Sequence, residues 1–350
     1  MKRLDEKLAR IRAGQYRRQD FIIADAKDPD MGPSLTWTGP KREPDGSFTR
    51  YRTRDEFLDQ IRAVVRQGIV DIMLMSASNM ERLTAEGLFA DSPVKAAIRA
   101  NDTSDIWRMR GAAYHDEPSR PFRSASIPRT MFGTATPVPG AAITGTDLGL
   151  YSITFNHDLD ADLESLEAFA EFRAEAAECG FKYFLEVFNP NVETGIDPEL
   201  LPHYINDNIL RCLAGVHSAD RPQFLKIAYN GPKALEELAS FDPSLTVGVL
   251  GGGAGTTRDC FELLHQADQR HRRGRRRPLP RRKRVPLCAD RGCGRGSATR
   301  RRTFGHSRGR PGAAHPHRGR GRNGPRCRGR DHDDGRRAGS GILRGRATRL

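Results

Sequence analysis

The chain is poor in the residues that staple a fold or span a bilayer. Its 350 residues include six cysteines, Cys179, Cys212, Cys260, Cys288, Cys293 and Cys327, with no repeated CxxC pair. That pattern excludes a disulfide scaffold and a zinc ribbon, so no metal site is expected. No apolar run approaches the roughly 18 residues a membrane helix needs. The charged start, Met1-Lys-Arg-Leu-Asp-Glu-Lys7, lacks the apolar stretch of a secretory signal. A cytoplasmic chain with no membrane contact is expected. Aromatics are scarce at 7%, and the two tryptophans read as packing residues. Lysine is nearly absent from the C-terminal stretch: from Arg270 to Leu350 there are 27 Arg, one Lys and four Asp, a net of +24. The whole chain carries +14, so residues 1–269 carry −10. The basic balance belongs to the tail and gives the body no basic face for nucleic acid.

The chain divides where this composition changes. Residues 1–268 alternate apolar runs with amphipathic stretches, whereas 269–350 hold mostly Arg, Gly, Pro, His and Ala without helical or strand period. Such a segment buries too little apolar surface to offset its ordering entropy, so a disordered basic tail is expected. A selected RNA-binding arm would mix Lys with Arg or repeat RGG with aromatics. This tail has one Lys, no RGG and the single aromatic Phe304. Its composition is that of a GC-rich gene translated out of frame. A frameshift near codons 260–275 is the expectation, and reading the other frames onward tests it. Nucleic acid would be a partner only through the tail.

The body reads as repeated strand and helix. Strands are expected at Phe21–Lys27, Val70–Met75, Ile106–Met109, Leu148–Thr154, Tyr183–Phe188, Phe224–Ala228 and Leu245–Leu250. Thr53-x-x-Glu56 is a capping-box spacing that starts a helix with Phe57, Leu58, Ile61, Val64 and Val65 on one face. Further helices are expected around 94–100, 161–179 with Gly180 as its left-handed stop, 201–214, from Gly231-Pro232, and 257–267. Near-continuous apolar strands separated by helices indicate a parallel sheet covered on both faces. A doubly wound sheet would carry its glycine fingerprint after the first strand, yet the first strand here ends in Asp25-Ala-Lys-Asp-Pro29. The glycines, Gly251-Gly-Gly-Ala-Gly255-Thr-Thr257, follow the seventh strand, where a barrel holds phosphate. The expected fold is therefore an α/β (β/α)8 TIM barrel lacking its last strand–helix unit.

In a barrel the chemistry sits at the C-terminal ends of the strands. Lys226 lies within the apolar run Phe224-Leu-Lys-Ile-Ala228. Burial disfavours an ammonium and frees the amine to attack a carbonyl; a lysine simply paired with a neighbouring carboxylate fits the same pattern. Asp25 on the first strand and Glu186 on the fifth are candidates either for that partner or for proton transfer. Gly251, Gly252, Gly253, Gly255, Thr256 and Thr257 lead into a helix start whose N–H groups and hydroxyls suit a phosphate. A tight turn needing glycine for backbone reasons alone would look similar. His157 reads equally as a loop residue or an acid–base group.

Ile22-Ile-Ala-Asp-Ala-Lys27, Leu225-Lys-Ile-Ala-Tyr-Asn-Gly231 and Val249-Leu-Gly-Gly-Gly-Ala-Gly-Thr-Thr257 resemble the archaeal-type class I fructose-bisphosphate aldolases, the DhnA-like family. The resemblance spans roughly 15–268. It implies a Schiff base between Lys226 and a ketose phosphate, proton shuttling by Asp25, phosphate binding by Gly251, Gly252 and Gly253, and no metal or cofactor. Phe188 stands where the family has a strand-five tyrosine, which leaves that acid–base role to Glu186 or Tyr229. The segment 110–145 is longer than the family's loop, and no Gly-Arg pair follows an eighth strand. A sister branch of the family that transfers an acyl group to a thiol is an alternative, as is a non-catalytic remnant. The partner expected is a sugar phosphate, with homo-oligomerisation left open.

Overall fold

Seven parallel strands lie side by side in the order in which they occur in the chain. They are β1 (Ala24–Lys27), β2 (Ile72–Met75), β3 (Lys95–Arg99), β4 (Leu148–Thr154), β5 (Lys182–Phe188), β6 (Leu225–Ile227) and β7 (Val247–Val249). The structure, a computed structural model, describes residues 1–32 and 34–251. The expected helix at 257–267, the absent eighth unit and the basic tail all lie outside those residues. A doubly wound sheet reverses its strand order at a switch point. This sheet never reverses, so it is singly wound and curls as a (β/α)8 barrel does, with seven strands among the described residues.

Among the described residues seven α-helices accompany the strands: α1 (Arg3–Arg12), α2 (Arg54–Gln67), α3 (Ala77–Ala85), α4 (Ile127–Phe132), α5 (Leu159–Cys179), α6 (Leu201–Ala214) and α7 (Gly231–Phe241). Local chemistry explains their ends. Thr53 and Glu56 form the reciprocal capping box of α2, and Asp158 caps α5 by accepting from the Ala161 N–H. Gly68 and Gly180 close α2 and α5 in the left-handed conformation, at φ 65° and 70°. Pro202 and Pro232 sit in the first turns of α6 and α7, where a missing N–H costs nothing.

The third strand differs from the sequence expectation. Residues 94–100 form β3 rather than a helix, every residue of β3 being buried. Ile106–Met109 is loop rather than strand. The alanines of Lys95-Ala-Ala-Ile-Arg99 favour a helix locally, but placement between two parallel strands overrides them. Helix α3 instead follows β2, capped by Ser76. Two short antiparallel hairpins, Pro40–Arg42 with Phe48–Tyr51 and Asp102–Thr103 with Pro121–Phe122, also lie outside the sequence reading.

The sheet separates two apolar clusters. Met73, Met75, Ile98, Tyr151, Ile153, Leu185, Val187, Leu225 and Ile227 face the helices α2, α5, α6 and α7. Ile72, Leu74, Ala97, Leu148, Leu150, Phe184 and Phe224 face the concave side, together with Leu4 and Leu8 of α1. Helix α1 thus closes the end of the sheet where the strands begin. Asp71, just before β2, accepts from Arg3 Nε at 2.5 Å, Lys7 Nζ at 2.8 Å and the Ile23 N–H at 2.8 Å. Lys95 pairs with Asp5 at 3.0 Å and Asp147 at 2.9 Å. No described helix is long and apolar enough to cross a membrane.

Candidate active site

The inner and outer positions of each strand alternate, so the two clusters assign every strand residue to a face. Leu225 and Ile227 point to the helices, which turns Lys226 inward. The same parity turns Glu186, Ser152 and Arg99 inward on β5, β4 and β3, toward the strands' C-terminal ends. Below them lies an apolar floor in which Phe184 and Phe224 stack with ring centroids 4.7 Å apart.

These four side chains and Asp28, just past β1, form one connected group. Lys226 Nζ lies 2.5 Å from Glu186 Oε1. Strand register brings them together, Lys226 being directly opposite Glu186. The contact is close in distance but not aligned as a hydrogen bond, and Oε1 has no hydrogen-bond partner. The other oxygen, Oε2, accepts from Ser152 Oγ at 2.7 Å and from Arg99 Nη2 at 3.5 Å. Arg99 also donates to Ser152 Oγ at 3.0 Å and, through Nε, to Asp28 Oδ2 at 2.5 Å. Neighbouring strands lie about 4.8 Å apart, so a side chain from β3 that meets both Asp28 and β5 requires a concave surface. The Glu186 side chain is 1% exposed and that of Lys226 19%. On the far flank of Lys226, β7 presents Gly248 in register, with no side chain.

The electrostatics follow from this arrangement. Burial works against the charge of Arg99, but Asp28 and Glu186 outweigh it and hold the guanidinium above its ordinary value. Asp102, two residues beyond Asn101's neighbour Ala100 and only 2% exposed, is pushed up to about 6 by burial. Arg99 and a hydrogen bond from Ser124 pull the other way. Asn101 ties β3 to β4 by accepting from the Ser152 N–H at 2.7 Å and donating to the Ser152 carbonyl at 2.9 Å. Among the described residues no three His, Cys, Asp or Glu side chains are grouped to hold a metal ion.

The sequence-derived residues divide between the two faces. Lys226 and Glu186 come together. Asp25 does not join them: it is in register with Met73 on the helix side, and its carboxylate pairs with Lys27 at 3.0 Å. The inward acid at this end of β1 is Asp28. Tyr229, two residues past the end of β6, packs against the helix-side core. The placement of Asp25 follows from strand alternation, since a shift of one residue along a strand exchanges the faces. Gly251 is exposed at the end of β7, and Gly252, Gly253, Gly255, Thr256 and Thr257 lie outside the described residues. His157 takes the left-handed conformation at φ 58°, and its ring lies 3.1 Å from the Thr194 carbonyl. Trp107 stacks on Tyr114 with centroids 5.0 Å apart. Sequence reasoning missed Asp28, Arg99, Ser152 and Asp102. The signal for Arg99 was present: read as a strand, 95–99 puts Lys95 and Arg99 on one face of an otherwise apolar run.

The fold and site define an α/β barrel-type protein with a strand-borne lysine set against a buried carboxylate. No family model matches the chain, and no curated protein does. Among solved structures it is similar to the Schiff-base-forming fructose-1,6-bisphosphate aldolase, at 16% identity over 75% of this chain and 88% of the other, with TM-score 0.48. It is likewise similar to an archaeal fructose 1,6-bisphosphate aldolase, at 16% identity over 75% and 84%, with TM-score 0.47. A fructose-bisphosphate aldolase from Slackia heliotrinireducens DSM 20476 matches at 14% identity over 75% and 76%, with TM-score 0.49.

Proposed function

We propose that the protein is a class I aldolase that makes or breaks a carbon–carbon bond in a phosphorylated ketose through a Schiff base on Lys226. The observation that carries this reading is the pairing of Lys226 Nζ with Glu186 Oε1, an oxygen otherwise without a hydrogen-bond partner. An ammonium cannot attack a carbonyl; it must first give up a proton. Glu186 Oε1 is within reach of that proton, while Oε2 is held by Ser152 and Arg99. The free amine then adds to the ketone carbon to form a carbinolamine. Glu186 returns its proton to the former carbonyl oxygen, a second proton passes to that oxygen from the nitrogen, and it leaves as water; the nitrogen keeps its remaining hydrogen and an iminium results. The iminium accepts the electron pair of the adjacent C–C bond as a base removes the hydroxyl proton across that bond. An aldehyde leaves, and the enamine is protonated and hydrolysed to regenerate the amine. The apolar floor of Phe184 and Phe224 keeps bulk water from one side of this chemistry. The glycine-rich stretch beginning at Gly251 would hold the phosphate, and a cytoplasmic place of action accords with a sugar-phosphate substrate.

Borohydride reduction in the presence of dihydroxyacetone phosphate tests the reading. The expected result is a stable mass increase on the peptide containing Lys226 that is absent from Lys226→Met. A folded full-length chain that yields no adduct at Lys226 overturns it.

A further inference from the structure

The polar group at the strand ends, with Arg99 and Glu186 buried and Asp28 and Lys226 half-buried, holds two positive and two negative charges. Arg99 and Asp28 are joined at 2.5 Å, and Lys226 and Glu186 at 2.5 Å. Between the two pairs the contact is looser, with Arg99 Nη2 at 3.5 Å from Glu186 Oε2, and Ser152 bridges them by accepting from Arg99 and donating to Glu186. A net charge in a site of this kind is costly, because the surrounding medium compensates it poorly. Moving a proton from Lys226 to Glu186 turns a charged pair into a neutral one and leaves the Arg99–Asp28 pair as it was. The group is balanced before and after the transfer.

We propose that Arg99 and Asp28 are positioning residues that fix this balance and thereby set the pH at which Lys226 loses its proton. The inference rests on the aldolase reading for its catalytic meaning. If Asp28 were absent, the charge of Arg99 would fall on Glu186 and Lys226 alone. Glu186 would then hold a proton less readily, and the ammonium of Lys226 would be disfavoured. If Arg99 were absent, two carboxylates would face one ammonium and retain its proton. Other groups facing the pair do not alter these signs. Beyond β3 lies Asp102, coupled electrostatically to Arg99 and Asp28. From β4 the neighbour is the neutral Ser152. At the end of β2, Ser76 is engaged by Asp30 at 2.5 Å, and β7 presents Gly248. The ion pairs of α1 with Asp71 and Lys95 belong to the opposite end of the strands.

Competitive labelling with acetic anhydride reads the basicity of one amine without any turnover. The full chain is labelled across a pH series, and the Lys226 peptide is quantified by mass spectrometry. A charge acting through Glu186 over roughly 8 Å moves the midpoint by about one pH unit. Asp28→Asn is expected to lower the midpoint by that amount and Arg99→Gln to raise it, whereas Arg99→Lys should return it toward the parent value. A loss of packing alone would not produce opposite signs. Midpoints that stay in place, or move in the same direction in both variants, overturn the proposal. Should Arg99→Gln fail to fold, Asp28→Asn decides alone, because its downward shift is required. Shifted midpoints without a borohydride adduct would sink the aldolase reading and leave the charge arrangement standing. An adduct with unmoved midpoints would do the reverse.

Discussion

Asp71 offers the sharpest test of how the molecule is held together. Its carboxylate is fully buried and receives Arg3, Lys7 and the Ile23 N–H. Replacement by alanine strands the Lys7 ammonium, which is 8% exposed and keeps only the Phe21 carbonyl, at 2.7 Å. Breaking a buried pair from one side costs about 3–5 kcal/mol. Arg3 adds little, since it is partly exposed and still donates to the carbonyls of Gly68, Ile69 and Val70; an exposed pair is worth about 0–1 kcal/mol. Asp71→Ala should therefore lose about 3–4 kcal/mol of the roughly 5–15 kcal/mol a domain possesses. Lys7→Met leaves Asp71 with two donors and should cost only about 1–2 kcal/mol. The double variant strands neither charge and should cost less than the sum. Urea unfolding with an unchanged slope measures all three. A loss below about 1 kcal/mol for Asp71→Ala, or strict additivity in the double variant, would refute the reasoning.

Two further outcomes follow from particular side chains. Asp102 is pushed up to about 6 in the folded protein, above its unfolded value near 3.8. The folded state therefore binds more protons between about pH 4 and 6, and stability falls as pH rises through that window, by roughly 2–3 kcal/mol in all. Asp102→Asn should gain on the parent between pH 4.5 and 7 in thermal unfolding, and an equal offset at both would contradict the assignment. At Gly149 a Cβ would lie 2.7 Å from Phe181 Cζ and 3.2 Å from Ala100 Cβ. Gly149→Ala should cost about 1–3 kcal/mol, with Phe181→Leu recovering part of it. An unchanged urea midpoint for the single variant would show that the ring moves aside freely.

The repeating architecture was readable because each strand–helix unit carries its own punctuation. The capping box at Thr53, the stop at Gly180 and the Gly231-Pro232 start all hold in the structure. β3 was not readable, because Ala96 and Ala97 prefer a helix and only burial between β2 and β4 makes them extended. Helix α1 was hidden by its charges, although Leu4 and Leu8 share one face. In the site, Lys226 and Glu186 stood out as charges within apolar runs. Telling Asp25 from Asp28 required knowing which face of β1 looks inward, and a short, partly exposed edge strand with no apolar alternation does not announce that. The register against Ile72 and Leu74 supplies it.

Helix α1 has a consequence for how the chain reaches its folded state. It precedes every strand of the sheet in the chain, yet its leucines share a cluster with Phe224, and Arg12 donates to Gln223 across 211 residues. Closing so long a loop is paid before the contact rewards it, and such topologies fold slowly. Helix α1 is thus a latch whose full seat is assembled only when β6 joins β2, β3, β4 and β5. Until Phe224 is in place, the surface that receives Leu4 and Leu8 is incomplete.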